Sequence, residues 1–211
     1  MADRIFLLSP ASCTGDRARM LTRPAASFPL ALRVREAAGA PVGEVFAFLS
    51  GLYFRGKLTY AARFARPPED LPGAFVITPN AGLFPANRPV TAGDLRRFAR
   101  VDIDPRDPRY RRPFARDAAR IADGRPDLEV VLLGSVASDK YVELLLEIFG
   151  ERLLFPPEFV GRGDMSRGGL LLRAARAGVE LAYRPVAGAV RHGPRPPKLP
   201  RLPRSAPRMA P

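Results

Sequence analysis

The chain has 211 residues, 46% of them hydrophobic, and carries a formal net charge of +13. That length fits one medium domain with extensions, and the apolar fraction is enough to build a core. No apolar run approaches the ~20 residues of a membrane span, and the single Cys13 and single His192 exclude an intrachain disulfide and a cysteine-rich or multi-histidine metal site.

From the N-terminus, Arg4–Ser9 reads as a buried strand running into a polar loop, Ser9–Asp16. Residues 16–22 begin a helix, and Phe28–Leu32 is a second short apolar segment. Over Val42–Ala65 the apolar residues Val45, Phe46, Leu49, Leu52 and Tyr53 recur at helical spacing, interrupted by Gly51 and Gly56, which predicts one or two helices. Ala74–Thr78 is a strand between Gly73 and Pro79. Thr91, with Asp94 three residues on, approximates a capping box. Val101–Asp104 alternates as a strand does. Phe114–Ala122 reads as helix, Glu129–Gly134 as the clearest buried strand, and Ser138–Phe149 as the clearest amphipathic helix. Leu153–Phe155 is a further strand, residues 166–177 a helix, and Glu180–Pro185 a last short strand.

Strands alternating with helices predict an α/β fold: a three-layer α/β/α domain over residues 1–187, with a mostly parallel central sheet. Residues 188–211 are rich in Pro and Arg and lack the apolar content to pack, so a disordered or extended basic tail is expected there. From Arg184 onward there are seven basic residues and no acid, seven of the thirteen net charges, leaving +6 on residues 1–183. Such a balance suits a polyanion partner, RNA or DNA or a nucleotide, and no membrane. The N-terminus lacks the length and cleavage pattern of a signal peptide, so a cytoplasmic protein is expected. No cofactor and no metal is called for.

Ligands of open parallel sheets lie outside the carboxyl ends of the strands. That rule selects the loops 9–16, 78–85, 134–140 and 156–169. In the first, Ser12, Thr14 and the backbone amides are candidate ligand contacts, and Cys13 is a pocket-wall residue or, with no histidine base nearby, a poor nucleophile. The segment is not a phosphate-binding P-loop, since its Gly-Lys-Ser/Thr ending is absent. Thr78 ends the strand before Pro79, and Gly134 and Ser135 lie at the tip of the best strand. Within Gly51–Lys57, Tyr53 or Phe54 can stack on a base while Arg55 and Lys57 meet phosphates; the alternative is a helix with its aromatics in the core and its cations in water. Gly161–Gly169 holds four glycines among Arg162, Asp164, Ser166 and Arg167 just before a helical run. Gly163 and its neighbours let backbone approach another object, and the two arginines suit an anion. Asp164 or Asp16 is the candidate carboxylate for activating water or stabilising an oxocarbenium-like centre. Asp102 and Asp104 are read as ion-paired with the arginines that follow them.

The order of these segments resembles a known group. A strand ending in Ser9–Cys13, a helix with Gly51–Lys57, a strand running into Val76–Pro85, then Leu132–Ser135 and Tyr141–Leu145, is similar to a group of bacterial domains of unknown function. More distantly, it resembles the uracil-DNA-glycosylase-like domain of archaeosine-pathway tRNA-guanine transglycosylase relatives. The resemblance spans roughly residues 4–175 and implies a three-layer α/β/α fold with a nucleobase or nucleic-acid pocket. The expected function is therefore nucleotide, nucleobase or nucleic-acid binding, with action on an N-glycosidic bond as the possible chemistry. The alternatives are a phosphate- or sugar-recognising enzyme without nucleic acid, or a non-catalytic interaction protein.

Overall fold

The computed structural model describes residues 2–200. Its elements run β1 (Arg4–Leu8), α1 (Asp16–Thr22), α2 (Pro29–Arg35), β2 (Ala40–Pro41), α3 (Val42–Ser50), α4 (Leu52–Phe64), β3 (Ala74–Ile77), β4 (Leu83–Pro85), β5 (Pro89–Val90), α5 (Ala92–Phe98), α6 (Pro108–Ala122), β6 (Glu129–Leu133), α7 (Asp139–Phe149), β7 (Leu153–Phe155), α8 (Asp164–Ala177) and β8 (Arg184–Pro185). A six-stranded sheet has the order β4-β3-β1-β6-β7-β8. The inner four strands are mutually parallel, and β4 and β8 close the edges antiparallel. The fold is thus mixed α/β with a mostly parallel sheet, as expected.

Apart from Arg4 and Glu129, which pair with each other at the amino ends of β1 and β6, the inner strands are apolar because both of their faces are covered. Side chains alternate across the sheet, so Phe6 and Leu8 join one core cluster while Ile5 and Leu7 join the other. The first cluster includes Val45, Phe54 and Leu171 from α3, α4 and α8; the second includes Phe114 and Leu145 from α6 and α7. Helices therefore lie on both faces. From β1 the chain crosses to β3 on one side, then returns past β1 to β6 on the other. The order reverses between β1 and β6, and a crevice opens at their carboxyl ends.

Gly51, at φ +67°, breaks α3 from α4 where the periodicity was interrupted. The helix α4 then runs through Gly56 without a break. A Cβ there would fall 2.7 Å from the Gly168 carbonyl oxygen, and one on Gly168 would fall 2.8 Å from the Tyr53 Cα. The two glycines let α4 and α8 touch backbone to backbone. The Thr91–Asp94 capping box is present at the start of α5.

Two expectations are corrected and one segment gains its element. Val101–Asp104 is not a strand: it has no strand neighbour, and the Asp104 amide turns back to the Asp102 carbonyl. The apolar segment Phe28–Leu32 supplies the N-cap residue Phe28 and the first turn of α2, entered through Pro29. The loop after Thr78 contains β4, which Asp117 of α6 anchors by accepting from the Leu83 amide at 3.0 Å. Residues 188–200 form neither helix nor strand, in keeping with an extended tail, yet they lie against the domain. The Arg162 guanidinium donates to the Pro197 carbonyl at 3.2 Å, Arg173 donates to the Pro200 carbonyl, and Arg191 pairs with Asp139 at 3.2 Å. Residues 201–211 of the predicted tail lie outside the described residues. Among the described residues, no helix is long and apolar enough to cross a membrane.

Candidate functional site at the strand tips

A cleft of about 290 Å³ lies over the carboxyl ends of β1, β3 and β6. The loop after β1 supplies Ser12, Cys13 and Thr14, the end of β3 supplies Pro79, and the first turn of α7 supplies Lys140 and Tyr141. The segment that follows α5 closes it with Val101, Asp102 and Ile103. The hydroxyls of Ser12 and Thr14 sit 3.1 Å apart, and the Thr14 amide donates to the Ser12 hydroxyl at 3.3 Å, which fixes the loop as a tight turn. Burial pushes the Cys13 thiol up to about 12. It is a neutral wall residue at physiological pH, with its sulfur 3.8 Å from the Ala11 carbonyl.

Lys140 and Asp102 are exposed at the rim, and neither is ion-paired among the described residues. Asp104, by contrast, is held by Arg106, whose side-chain and backbone bonds keep its carboxyl down at about 2. The ion-pair expectation describes Asp104 and not Asp102. Ser138 makes no side-chain cap at the N-terminus of α7, and the first-turn residues Lys140 and Tyr141 of that helix line the cleft. Burial pushes the Tyr141 phenol up to about 12, so it presents a neutral ring and hydroxyl.

Beneath the cleft, Gly134 is buried, and a Cβ on it would fall 2.9 Å from the Cβ of Ser9. The tips of β1 and β6 touch at this point, and Ser135 continues the chain toward α7. Lys57 reaches in from α4. Its ammonium donates to the Ser9 carbonyl at 2.6 Å and approaches the Ser9 hydroxyl at 3.0 Å. It also lies 4.4 Å from the Tyr53 ring centre and 4.6 Å from that of Phe54. Lys57 is only 1% exposed. Burial pushes its ammonium down to about 7, with Asp164 opposing the shift and Arg167 adding to it. Tyr53 is buried beside it, and its hydroxyl has no hydrogen-bond partner among the described residues.

The remaining sequence candidates fall elsewhere. Thr78 is fully buried and closes the β3–β4 turn, donating to the Gly82 carbonyl at 2.8 Å and accepting from the Ala81 amide at 3.0 Å. Arg55 is exposed on the outer face of α4. Asp16 is exposed at the start of α1 and pairs with Arg19. Gly163 precedes α8 as its N-cap residue, Asp164 opens that helix, and Arg162 donates to the Ser166 hydroxyl at 3.2 Å. Arg167 is buried, and its Nε and Nη2 both donate to the Phe159 carbonyl, at 3.2 and 3.1 Å. The structure therefore brings Ser12, Cys13 and Thr14 to the cleft, sets Gly134 and Lys57 beneath it, and leaves the 161–169 segment outside its lining. Sequence reasoning missed Asp102, Ile103 and Tyr141 as lining residues. The strand-end rule could not select 98–103, which follows a helix.

No family model, curated protein or solved structure matches the chain.

Proposed function

We propose that the strand-tip cleft binds a nucleobase-bearing small ligand, a nucleoside or nucleotide. The observation that carries this reading is the combination on one wall set of a planar aromatic face, an unpaired carboxylate and an unpaired ammonium: Tyr141, Asp102 and Lys140. Tyr141, Val101 and Ile103 offer apolar surface to a flat ring. The hydroxyls of Ser12 and Thr14 and the carboxylate of Asp102 satisfy the edge of a base or the hydroxyls of a ribose. Lys140 and the first-turn amides of α7 suit a phosphate. A volume near 290 Å³ sits at the small end of ligand pockets and matches a ligand of nucleoside size.

Asp102 is the carboxylate that lines the cleft, so it is the group that would serve an N-glycosidic bond held there. Asp164 and Asp16 lie outside the lining. Lys57 acts from below by pinning the carboxyl end of β1, from which the hydroxyl loop springs. Isothermal titration of the full chain with nucleosides and nucleoside monophosphates tests the reading. Saturable one-site binding that Tyr141→Ala weakens at least tenfold is expected. Absence of binding across the four common bases rejects it.

A further inference from the structure

The glycine-rich segment Gly161–Gly169, which enters α8 at Asp164, receives a piece of this same chain. Gly161, at φ +71°, lies so close to the tail that a Cβ on it would fall 2.1 Å from the Pro194 carbonyl oxygen. Gly169 faces Leu199, 3.5 Å from where its Cβ would stand. With the tail seated, a groove of about 370 Å³ forms between it and α8. Arg162 and Arg173 line one side, Arg195 and Lys198 the other, and no acidic residue lines it among the described residues. None of these four cations is ion-paired among the described residues, and the buried Nε of Arg162 has no partner.

Four unneutralised cations converging on one groove repel each other, and a polyanion relieves that repulsion. The spacing favours a chain of phosphates over a single one. Arg173 lies nine residues into α8 from Asp164, roughly 14 Å along the helix, and Arg162 precedes that helix by two residues, a span within the reach of two to three successive phosphates. The groove also carries apolar surface. Met165 is 68% exposed, and it is shared with a neighbouring depression that holds Arg17 and Arg55. Unstacked bases can rest on such surface between guanidinium groups, whereas the bases of a duplex are not available to it.

We propose that the groove between α8 and the tail binds the phosphate backbone of single-stranded nucleic acid. The tail supplies half of its charge, so the site exists only while residues 191–200 are docked. This site is separate from the strand-tip cleft and does not depend on what that cleft binds.

Fluorescence anisotropy of the full chain with labelled 12-mers of deoxythymidine and of uridine, from 50 to 200 mM salt, tests it. The double variant Arg195→Glu with Lys198→Glu is compared with Arg96→Glu with Arg120→Glu, which makes the same change in net charge at exposed positions elsewhere. The groove variant is expected to bind at least tenfold more weakly. Its slope of log affinity against log salt should be shallower by about 1.4, the share of two lost contacts to a single strand. The control should change affinity less than twofold, and both variants should keep the wild-type melting temperature. Equal weakening by the two doubles would reduce the effect to net charge and overturn the proposal. So would failure of the wild type to bind either 12-mer, or tighter binding to anionic lipid vesicles than to both.

Discussion

The Lys57 ammonium donates to the Ser9 carbonyl at 2.6 Å, at the point where β1 ends and the hydroxyl-bearing loop of the cleft begins. A lysine buried to this degree is costly to keep charged, and the Ser9 contacts and two aromatic rings only partly offset that cost. The pair ties the helix α4 to the strand whose tip carries Ser12 and Thr14.

This pairing has a pH signature. The folded-state value, about 7, lies below the ordinary 10.5. Between those values the unfolded chain holds a proton that the folded chain has released, so stability rises with pH across that window and is flat, with respect to this group, below it. The limiting slope is about 1.4 kcal/mol per pH unit. Lys57→Met removes both the charge and the slope. Urea unfolding of both proteins should show wild type gaining about 2 kcal/mol on the variant between pH 7 and 9. A difference independent of pH would show that Lys57 titrates normally.

The contact of α4 with α8 depends on two glycines. Gly56→Ala places its methyl 2.7 Å from a backbone oxygen, and Gly168→Ala places one 2.8 Å from a backbone Cα. Neither neighbour is a flexible side-chain end, so each variant should lose about 1–3 kcal/mol. Thermal unfolding should show both melting lower than wild type. An unchanged melting temperature in either would mean that the helices separate without cost.

Asp164 and Arg167 make opposite predictions although they form one ion pair at 3.6 Å. Arg167 is buried and braces the Phe159 carbonyl through two nitrogens. Arg167→Met removes both charged donors from that oxygen, leaving it only the Arg162 amide at 3.2 Å, and should cost about 1–3 kcal/mol. The Asp164 side chain is 70% exposed, so Asp164→Ala should change stability by about 0.5 kcal/mol or less. Chemical denaturation of the two variants tests the contrast, and equal losses would refute it.

Cys13 should alkylate slowly in the folded protein at pH 7.5. Burial holds its thiol neutral, up to about 12, where an ordinary thiol is partly ionised. The iodoacetamide rate, followed by mass spectrometry, should rise roughly tenfold per pH unit between 7 and 9. A rate equal to that of the urea-unfolded chain would mean that the thiol is open and unperturbed.

The sheet was legible in the sequence because its inner strands bury both faces. Continuous runs such as Ile5–Leu8 and Val130–Leu133 need no partner to be recognised. The pieces β2, β4 and β5 were not legible, since two or three residues become strand only when a distant segment pairs with them. Val101–Asp104 shows the converse: its alternation imitates a strand, but the Asp104 amide finds the Asp102 carbonyl instead. The same tertiary information was missing for Lys57. Its neighbours Tyr53 and Phe54 belong to the core as one sequence reading held, but that reading put the cations in water. Arg55 obeys it, whereas Lys57, two residues on, faces inward with the rings. The glycines of 161–169 pointed correctly to a close approach; that the approaching object is Pro194 could not be read without the fold.

The strand-tip cleft is proposed to hold a nucleobase-bearing ligand through Asp102. Thermal shift of wild type, Asp102→Ala and Asp164→Ala against nucleobases, nucleosides and nucleotides tests it most directly. A ligand at ~100 times its dissociation constant should add about 2.7 kcal/mol to wild type and to Asp164→Ala, and far less to Asp102→Ala. A shift that survives Asp102→Ala but disappears with Asp164→Ala, or no shift with any of these ligands, would contradict it.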